Sequence, residues 1–334
     1  MVSRSVAAPA RASGVGRLPT AVLFVAVASF WAMNTVAMRV AGRTVPPLTV
    51  AAARAVVGGL VLLAIARRQG ADWPRSRDEW RGIAAIAFFM TGLSTALLFL
   101  AARTIPAGLV AILTNTMPLF VAILAPALLA ESATRRALVG LGVGLGGTVL
   151  VAWRAIEGAV RPLGIVIGLG ASLASALGSI MYKRHPMPRL DRTMVVAVQL
   201  LVSSALLIVM AIPDDRSHLR FPWTFTLSFT YLSLLGLALS FVLFAELVGR
   251  GSGLQASAVA YLSTVLGVVF GAVLLHERLS WTTLVGGAVT IVGVAVVQTA
   301  PRPAVAGQPS ATTPTGSRSG RAARRSGAAN ARRA

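Results

Sequence analysis

The sharpest chemical signal in this chain of 334 residues is a single arginine inside an apolar stretch. Arg54 lies eight residues after Pro46, where the stretch opens, or about 12 Å along a helix at 1.5 Å per residue. An arginine at the centre of a membrane helix costs about 2.5–3.5 kcal/mol on insertion scales, so it should face a wet cavity or a partner. We therefore predict that Arg54 binds an anionic group such as a substrate carboxylate; the alternative is a structural role on backbone carbonyls.

A second group of candidates shares one face of the predicted first helix. Trp31, Asn34 and Thr35 are spaced i, i+3 and i+4, so their side chains lie close together on that face. An indole beside a carboxamide suits an apolar or aromatic ligand that also needs a hydrogen-bonding anchor. The alternative is an asparagine that hydrogen-bonds a neighbouring helix and holds the bundle together.

A proline marks a third group. Pro118 lacks an N–H, which leaves the carbonyl of Thr114 without a helical partner in mid-span, next to Asn115 and Thr116. Such a break is tolerated at membrane depth where it is buried or lines a cavity. Residues 261–264 fall at the equivalent depth further along the chain, so a site between two breaks is predicted, with a plain kink as the alternative. With two weaker candidates added, the predicted substrate-binding residues are Arg54, Trp31, Asn34, Asn115, Thr114, Tyr261, Gln199 and Tyr182.

Composition excludes most soluble classes of protein. The chain has no cysteine, 56% hydrophobic and only 12% charged residues, a mean hydropathy of +0.77 and a formal net charge of +21. Average soluble domains carry about 25% charged residues. The basic residues punctuate apolar stretches and do not cluster on an aromatic-studded surface, so nucleic acid is not an expected partner. A polytopic membrane protein is the class that remains.

Neither an enzyme nor a metal or cofactor site is expected. The three histidines fall far apart in predicted loops, without ligand spacing, and no pair of carboxylates lies inside a predicted span. No phosphate-binding GxxxxGK[ST] motif is present, so ATP is not expected to drive the protein directly.

Ten apolar stretches are long enough to cross a hydrocarbon core about 30 Å thick, which takes roughly 20 helical residues. Long continuous apolar runs favour helices over a barrel, whose strands alternate. The predicted fold is therefore an all-α polytopic membrane protein with ten transmembrane helices. The predicted spans are 18–40, 46–66, 82–102, 107–130, 136–153, 162–182, 193–212, 224–247, 253–275 and 281–299.

Basic residues predict the orientation. With the N-terminus in the cytoplasm, the inner segments hold 22 Arg and Lys residues and the outer segments hold eight, with one more inside a helix. Both termini are therefore expected in the cytoplasm, with the protein in the cell inner (plasma) membrane. The apolar stretch 18–41 is too long for a signal-peptide core, so the first span is expected to stay uncleaved. Residues 1–17 are expected to form a basic N-terminal segment and residues 300–334 a disordered Arg-rich C-terminal tail.

An internal repeat divides the membrane region into two copies, 18–153 and 162–299. A shift of 146 residues aligns the fourth and fifth spans with the ninth and tenth, and a shift smaller by one or two aligns earlier spans. Five spans per copy is an odd number, so two inverted five-helix repeats are predicted, as is typical of secondary transporters. The aligned residues are Glu131 with Glu277, Gly140 with Gly286, Gly147 with Gly293, Met38 with Tyr182, Arg39 with Lys183, and Arg54 with a position near Gln199.

Short motifs occupy matching places in the two copies. They are Leu113-Thr114-Asn115-Thr116-Met117-Pro118, Leu128-Leu129-Ala130-Glu131 and Leu274-Leu275-His276-Glu277, together with Trp31, Pro47 and Arg54. In these motifs the chain resembles the EamA family of the drug/metabolite transporter superfamily over residues 18–299. The resemblance implies a ten-helix inverted-repeat fold and movement of small metabolites, often export of amino acids or toxic compounds. Where the family's second copy often has a mid-helix proline, this chain has Thr264.

Energy coupling and the class of function stay open at this stage. The resemblance implies proton antiport, yet the predicted spans hold no central Asp or Glu. Either Glu246, an i+4 partner of Arg250, carries the proton, or transport is facilitated. Expected partners are the lipid bilayer, a small-molecule substrate and, for antiport, protons; a homodimer is an open alternative to a monomer. The alternative function is a non-transporting membrane receptor or assembly factor.

Two further patterns are interpreted as structural. Glu131 and Glu277 precede predicted helix caps and are interpreted as turn residues. Three pairs of glycines at i, i+4 spacing predict faces where helices pack closely. The pairs are Gly140 and Gly144, Gly164 and Gly168, and Gly267 and Gly271.

Overall fold

A computed structural model describes residues 18–300 except 106, 132, 153–160, 216, 218, 251–252 and 276–279. The predicted basic segment 1–17 and all but the first residue of the predicted tail 300–334 lie outside the described residues, as does Glu277. In the described part, ten helices are long and apolar enough to cross a membrane, at the places that the sequence predicts. They are α1 (Thr20–Ala41), α2 (Pro47–Arg68), α3 (Arg77–Ala102), α4 (Ala107–Thr114 and Met117–Leu129), α5 (Arg135–Ala152), α6 (Pro162–Arg184), α7 (Arg192–Ala211), α8 (Trp223–Arg250), α9 (Gly253–Ser257 and Val259–Leu275) and α10 (Trp281–Gln298).

Local signals set where several helices begin. Pro47 and Pro162 stand at the first positions of α2 and α6, where the fixed backbone angle of proline suits a helix start. α3 begins at Arg77, five residues before the predicted start, because Ser76 and Glu79 form a capping box. The side chain of Ser76 accepts from the Glu79 N–H at 3.1 Å, and Glu79 accepts in return from the Ser76 N–H at 3.1 Å.

The two halves pack in pairs that follow an inverted repeat. α2 packs along α7, and α5 along α10, so each of these helices meets its own counterpart. α1 packs against α9 and α8, while α6 packs against the counterparts of those helices, α4 and α3. Moving five helices along the chain therefore turns each pairing into itself or into another observed pairing. This pattern confirms the predicted pair of inverted five-helix repeats.

Glycines let α5 and α10 cross closely. A Cβ added at Gly140 would lie 2.9 Å from the carbonyl oxygen of Gly293, closer than side-chain carbons normally approach. The predicted small-residue face of α5 is thus a real helix contact. Gly267 on α9 differs, because a Cβ there would meet its nearest neighbour, the Ala32 carbonyl oxygen, at an ordinary 3.7 Å. The prediction of tight packing at Gly267 is wrong, since space for a side chain remains.

α3 and α8 each contain a stretch of π-helix, which the sequence did not predict. The two stretches are Ala87–Leu93 in α3 and Leu234–Leu239 in α8. They occupy the same place in the two repeats, and such turns are frequent at functional sites. Matching serines bond the carbonyl oxygens within them. Ser94 donates to Met90 at 2.6 Å, and Ser240 donates to Gly236 at 2.7 Å.

Both ends of the described chain lie at one end of the bundle, called the termini end below. Arg250 donates to the carbonyl oxygen of Leu18 at 2.5 Å. Five residues further on, the Gln255 side chain is 3.4 Å from the carbonyl oxygen of Ala300. The start of α1 and the end of α10 are therefore on the same side of the bundle, as an even number of spans requires.

Ion pairs join helices at the termini end. Glu131 pairs with Lys183 at 2.7 Å and links α4 to α6, so the residue interpreted as a turn residue also ties the two repeats together. Glu246 pairs with Arg250 at 2.6 Å, as the i+4 spacing predicts, and also with Arg192 of α7. The Glu246 side chain is 8% exposed, so this carboxylate is nearly enclosed by its two arginines.

Candidate functional site

α1 presents Trp31 and Asn34 to α8. The ring centroids of Trp31 and Phe244 are 5.1 Å apart, and Asn34 Nδ2 donates to the carbonyl oxygen of Gly236 at 2.8 Å. The asparagine therefore holds α1 on the π-turn of α8, while its Oδ1 is buried without a hydrogen-bond partner among the described residues. Thr35, predicted on the same face, is exposed.

α4 and α9 meet at a polar contact halfway along both helices. Asn115 Nδ2 donates to Thr264 Oγ1 at 2.8 Å and to the Ala111 carbonyl oxygen at 2.7 Å. Asn115 is 5% exposed, and its Oδ1 is buried with no partner in the described part of the chain. The two segments that the sequence singled out as breaks are thus brought together, one from each repeat.

The break in α9 is at Ala258, so its predicted position at residues 261–264 is wrong. Thr264 stands where the first repeat has Pro118, but threonine retains its N–H, and the helix runs through it from Val259 to Leu275. In α4 the helix does stop, at residues 115–116, just before the proline. The missing N–H of proline accounts for the difference.

The carbonyl of Thr114, predicted to be free, is occupied. Ser172 of α6 donates to this oxygen at 3.1 Å, and the Thr116 hydroxyl lies 3.0 Å from Ser172 Oγ. The Thr114 hydroxyl in turn donates to the Val110 carbonyl oxygen at 2.7 Å. The prediction of a free carbonyl is wrong because a serine from the other repeat takes the place of the missing N–H. Sequence reasoning did not single out Ser172.

Tyr182 and Gln199 belong to a closed network within the bundle. The Tyr182 hydroxyl donates to Gln199 Oε1, and Gln199 Nε2 donates to Thr91 Oγ1 at 2.7 Å. Gln199 is fully buried, and both ends of its amide are bonded. These side chains tie α6, α7 and α3 together and offer no unused amide atom to a ligand.

Arg54 has no such partners. It is half-buried in α2, and its guanidinium makes no hydrogen bond or ion pair with any residue that the structure describes. Its counterpart in the repeat register is Gln199, whose partners Tyr182 and Thr91 correspond to Met38 and Leu237. Apolar residues therefore occupy the places from which Arg54 could have been hydrogen-bonded. The five N–H donors of the guanidinium remain available for a ligand at this depth.

Four buried side-chain atoms in the described residues lack a hydrogen-bond partner: Asn34 Oδ1, Asn115 Oδ1, Ser179 Oγ and the Tyr261 hydroxyl. A shift of 146 carries Asn115 onto Tyr261, so these two lie at matching places in the repeats. The shift of 144 that aligns Met38 with Tyr182 carries Asn34 onto Gly178, one residue before Ser179. A buried polar group without a partner costs about 1–3 kcal/mol, so each of the four atoms is a candidate contact for water or a polar ligand.

The Tyr261 ring packs on Gly144 of α5, where an added Cβ would lie 2.8 Å from the ring. Ser179 was missed by sequence reasoning, because it is one of three serines in α6 and nothing local distinguishes it.

An open apolar groove of about 490 Å³ lies between α1, α8 and α9. Its walls include Phe30, about one turn before Asn34, Met33, directly before it, and Phe270 of α9. Tyr231 of α8 closes one side and donates its hydroxyl to the carbonyl oxygen of Phe30 at 3.2 Å. In the described ranges, no group of three or more His, Cys, Asp or Glu residues could hold a metal ion.

Comparison with known proteins gives one consistent result. The family model of the EamA-like transporter family matches residues 18–153 and 162–299. The uncharacterized transporter YvbV of Bacillus subtilis is 26% identical over 281 residues, 84% of this chain and 92% of the relative. The probable amino-acid metabolite efflux pump of Salmonella typhimurium is 24% identical over 274 residues, 79% of this chain and 89% of the relative. A solved crystal structure shares the fold with a TM-score of 0.72 at 20% identity, covering 84% of this chain and 98% of the other.

Proposed function

The chain belongs to the EamA-like transporter family, and we propose that it exports a small metabolite bearing a carboxylate, such as an amino acid, by alternating access. The inverted repeats support the mechanism. Two like halves of opposite sense can exchange conformations, so that a site between them opens to one side and then to the other. The polar contact between α4 and α9 lies where such a site would be expected.

Arg54 carries the proposal. A guanidinium at membrane depth without a partner in the described protein is costly to retain, unless a ligand supplies the partner. A carboxylate fits best, because it accepts two parallel hydrogen bonds from a guanidinium. The corresponding Gln199, whose amide is fully bonded, contributes no second charge. The proposed substrate therefore carries one anionic group at this place.

The unpaired buried atoms support a substrate that also has N–H donors. The two asparagine Oδ1 atoms can only accept hydrogen bonds, whereas the hydroxyls of Ser179 and Tyr261 can donate or accept. An ammonium group supplies three donors for such acceptors, and a carboxylate supplies acceptors for Arg54, so a zwitterion offers both kinds of group. The printed name of the Salmonella typhimurium relative, a probable amino-acid metabolite efflux pump, is in keeping with this class.

Facilitated export suits the charges better than a proton carried on Glu246. This carboxylate is occupied by ion pairs with both Arg192 and Arg250 near the termini end, and it lies away from the α4–α9 contact. We expect export from preloaded proteoliposomes to continue when a protonophore collapses the proton gradient. Antiport would instead be favoured if the protonophore stopped export and Glu246→Gln also stopped it. In the proposed orientation both termini lie on the cytoplasmic side of the plasma membrane.

The test is a substrate screen with purified protein. Proteoliposomes preloaded with single labelled L-amino acids or antimicrobial compounds should release at least one faster than empty liposomes. Arg54→Ala should abolish release while the protein still inserts and stays monodisperse. Arg68→Ala, at the end of the same helix, is the matched control and should leave release unchanged. If no compound is moved or bound, a receptor is favoured; if Arg54→Ala fails to insert, Arg54 has a structural role.

A further inference from the structure

Ser172 and Pro118 compensate for each other across the two repeats. Proline at position 118 removes the N–H that would bond the carbonyl of residue 114, four residues earlier. The Ser172 hydroxyl donates to that oxygen at 3.1 Å from α6, in the other half of the molecule. Ser172 is 1% exposed, so water cannot easily take over this bond.

The symmetry-related contact, between α9 and α1, lacks both residues. Thr264 stands at the place of Pro118, and the register that aligns Tyr182 with Met38 places Ala28 opposite Ser172. Ala28 is fully buried in α1, the helix that packs on α9 as α6 packs on α4. The Thr264 hydroxyl donates within its own helix, to the Ala260 carbonyl oxygen at 3.2 Å. Of the two related contacts, only the one where proline leaves a carbonyl open thus has a serine hydroxyl at this place.

We propose that Ser172 is a positioning residue for the central site: by bonding the Thr114 carbonyl it fixes the break in α4 and hence the place of Asn115. The Asn115 amide then reaches Thr264 on α9 at 2.8 Å with its Oδ1 unused. The importance of this atom for substrate rests on the proposed function. The compensation between Ser172 and Pro118 does not depend on it.

A double-mutant cycle on the purified full chain tests the compensation. Hydrogen exchange of residues 113–120 is measured in the unsubstituted protein, Ser172→Ala, Pro118→Ala and the double variant. Ser172→Ala should speed exchange in this segment about tenfold, as expected for one lost buried hydrogen bond. With alanine at position 118 an N–H again reaches the Thr114 carbonyl, so Ser172→Ala should then change exchange less than about twofold.

The matched control is Ser203→Ala on α7, a buried serine that donates only to its own helix, to the Leu200 carbonyl oxygen at 3.0 Å. It should leave exchange of residues 113–120 unchanged. An equal effect of Ser172→Ala in both backgrounds, or no effect in either, overturns the proposal.

A second measurement separates positioning from a purely structural role. An equimolar mixture of the twenty proteinogenic L-amino acids should raise the melting temperature of the unsubstituted protein. Ser172→Ala should lose at least half of that rise, and the double variant should regain it. A full rise in Ser172→Ala overturns the positioning role. If the mixture stabilises no variant, the proposed amino-acid substrate fails, and the exchange cycle alone decides the role of Ser172.

Discussion

The symmetry of the repeats relates two helix clusters, α3, α6 and α7 in one and α8, α1 and α2 in the other, that place their polar groups differently. In the first cluster, Thr91, Tyr182 and Gln199 close a hydrogen-bonded network across the three helices. The corresponding residues on α8, α1 and α2 are Leu237, Met38 and Arg54, and the arginine has no partner among the described residues. One cluster thus uses its polar residues to hold helices together, and the other leaves a charge available. The difference separates a stabilising role from a binding role at equivalent positions.

A smaller difference appears where α1 and α6 cross the π-turns. Asn34 of α1 bonds to Gly236 of α8, whereas at the related crossing Gly178 of α6 packs on Met90 of α3. The large residue is on α1 at the first crossing and on α3 at the second, and the glycine is on the opposite helix each time. Each crossing stays close, but only the Asn34 crossing includes a polar anchor.

The largest expected contrast between the two clusters is in the rate of transport. Arg54→Gln should lower the initial rate of release of the accepted compound, per unit concentration, about 100-fold, because a charge-assisted bidentate contact is lost. Gln199→Leu should lower it less than about tenfold, since its amide bonds only to protein. Proteoliposome flux measures both, with Arg68→Gln as the control. Equal losses would mean that the two positions do the same work, and the comparison would fail.

Stability should show the opposite order. Gln199→Leu should lower the free energy of unfolding by about 2–3 kcal/mol, because buried Tyr182 and Thr91 hydroxyls lose their partner. Arg54→Leu should not lower it, since no described contact of the guanidinium is broken. Thermal unfolding in detergent compares the two variants. A drop for Arg54→Leu as large as that for Gln199→Leu would assign Arg54 to the fold.

The smallest expected difference is in stability, between the Gly178 crossing of α6 with α3 and the Gly236 crossing of α1 with α8. A Cβ at Gly178 would lie 2.6 Å from the backbone nitrogen of Met90, so Gly178→Ala must move a helix and should cost about 1–3 kcal/mol. A Cβ at Gly236 would meet only the Asn34 side chain, which can rotate away at the cost of one hydrogen bond, about 1 kcal/mol. Thermal unfolding of both variants checks the order. A larger loss of stability for Gly236→Ala would mean that the crossing at Asn34 is the more rigid of the two.

The parts of the fold that depend on length and periodicity could be predicted from the sequence. Ten apolar stretches fix ten helices because each must satisfy its backbone within the membrane. The register of the repeat fixes their inverted pairing. The start of α3 was missed by five residues, although Ser76 and Glu79 carry the signature of a capping box.

The parts that depend on contacts between distant residues could not be predicted. Nothing local marks Ala258 as the break in α9, and the π-turns of α3 and α8 arise in packing against α6 and α1. The open carbonyl of Thr114 was foreseen, but Ser172 is 58 residues away and is one of many serines. Among the site candidates, chemistry picked Arg54 and Gln199 alike, and only their neighbours in space distinguish a free group from a bonded one.

The matching π-turns have a consequence for how such chains are aligned. An α-helix advances about 100° per residue, so one extra residue in an uninterrupted helix rotates everything beyond it onto a new face. Removing one residue from Ala87–Leu93 can instead turn the wider turns into ordinary α-helix, with both ends of α3 facing as before and α8 unchanged. A wider turn with i→i+5 hydrogen bonds takes up one extra residue locally, so an alignment with a one-residue gap in either π-segment keeps the flanking turns in phase, whereas a gap elsewhere in α3 or α8 does not.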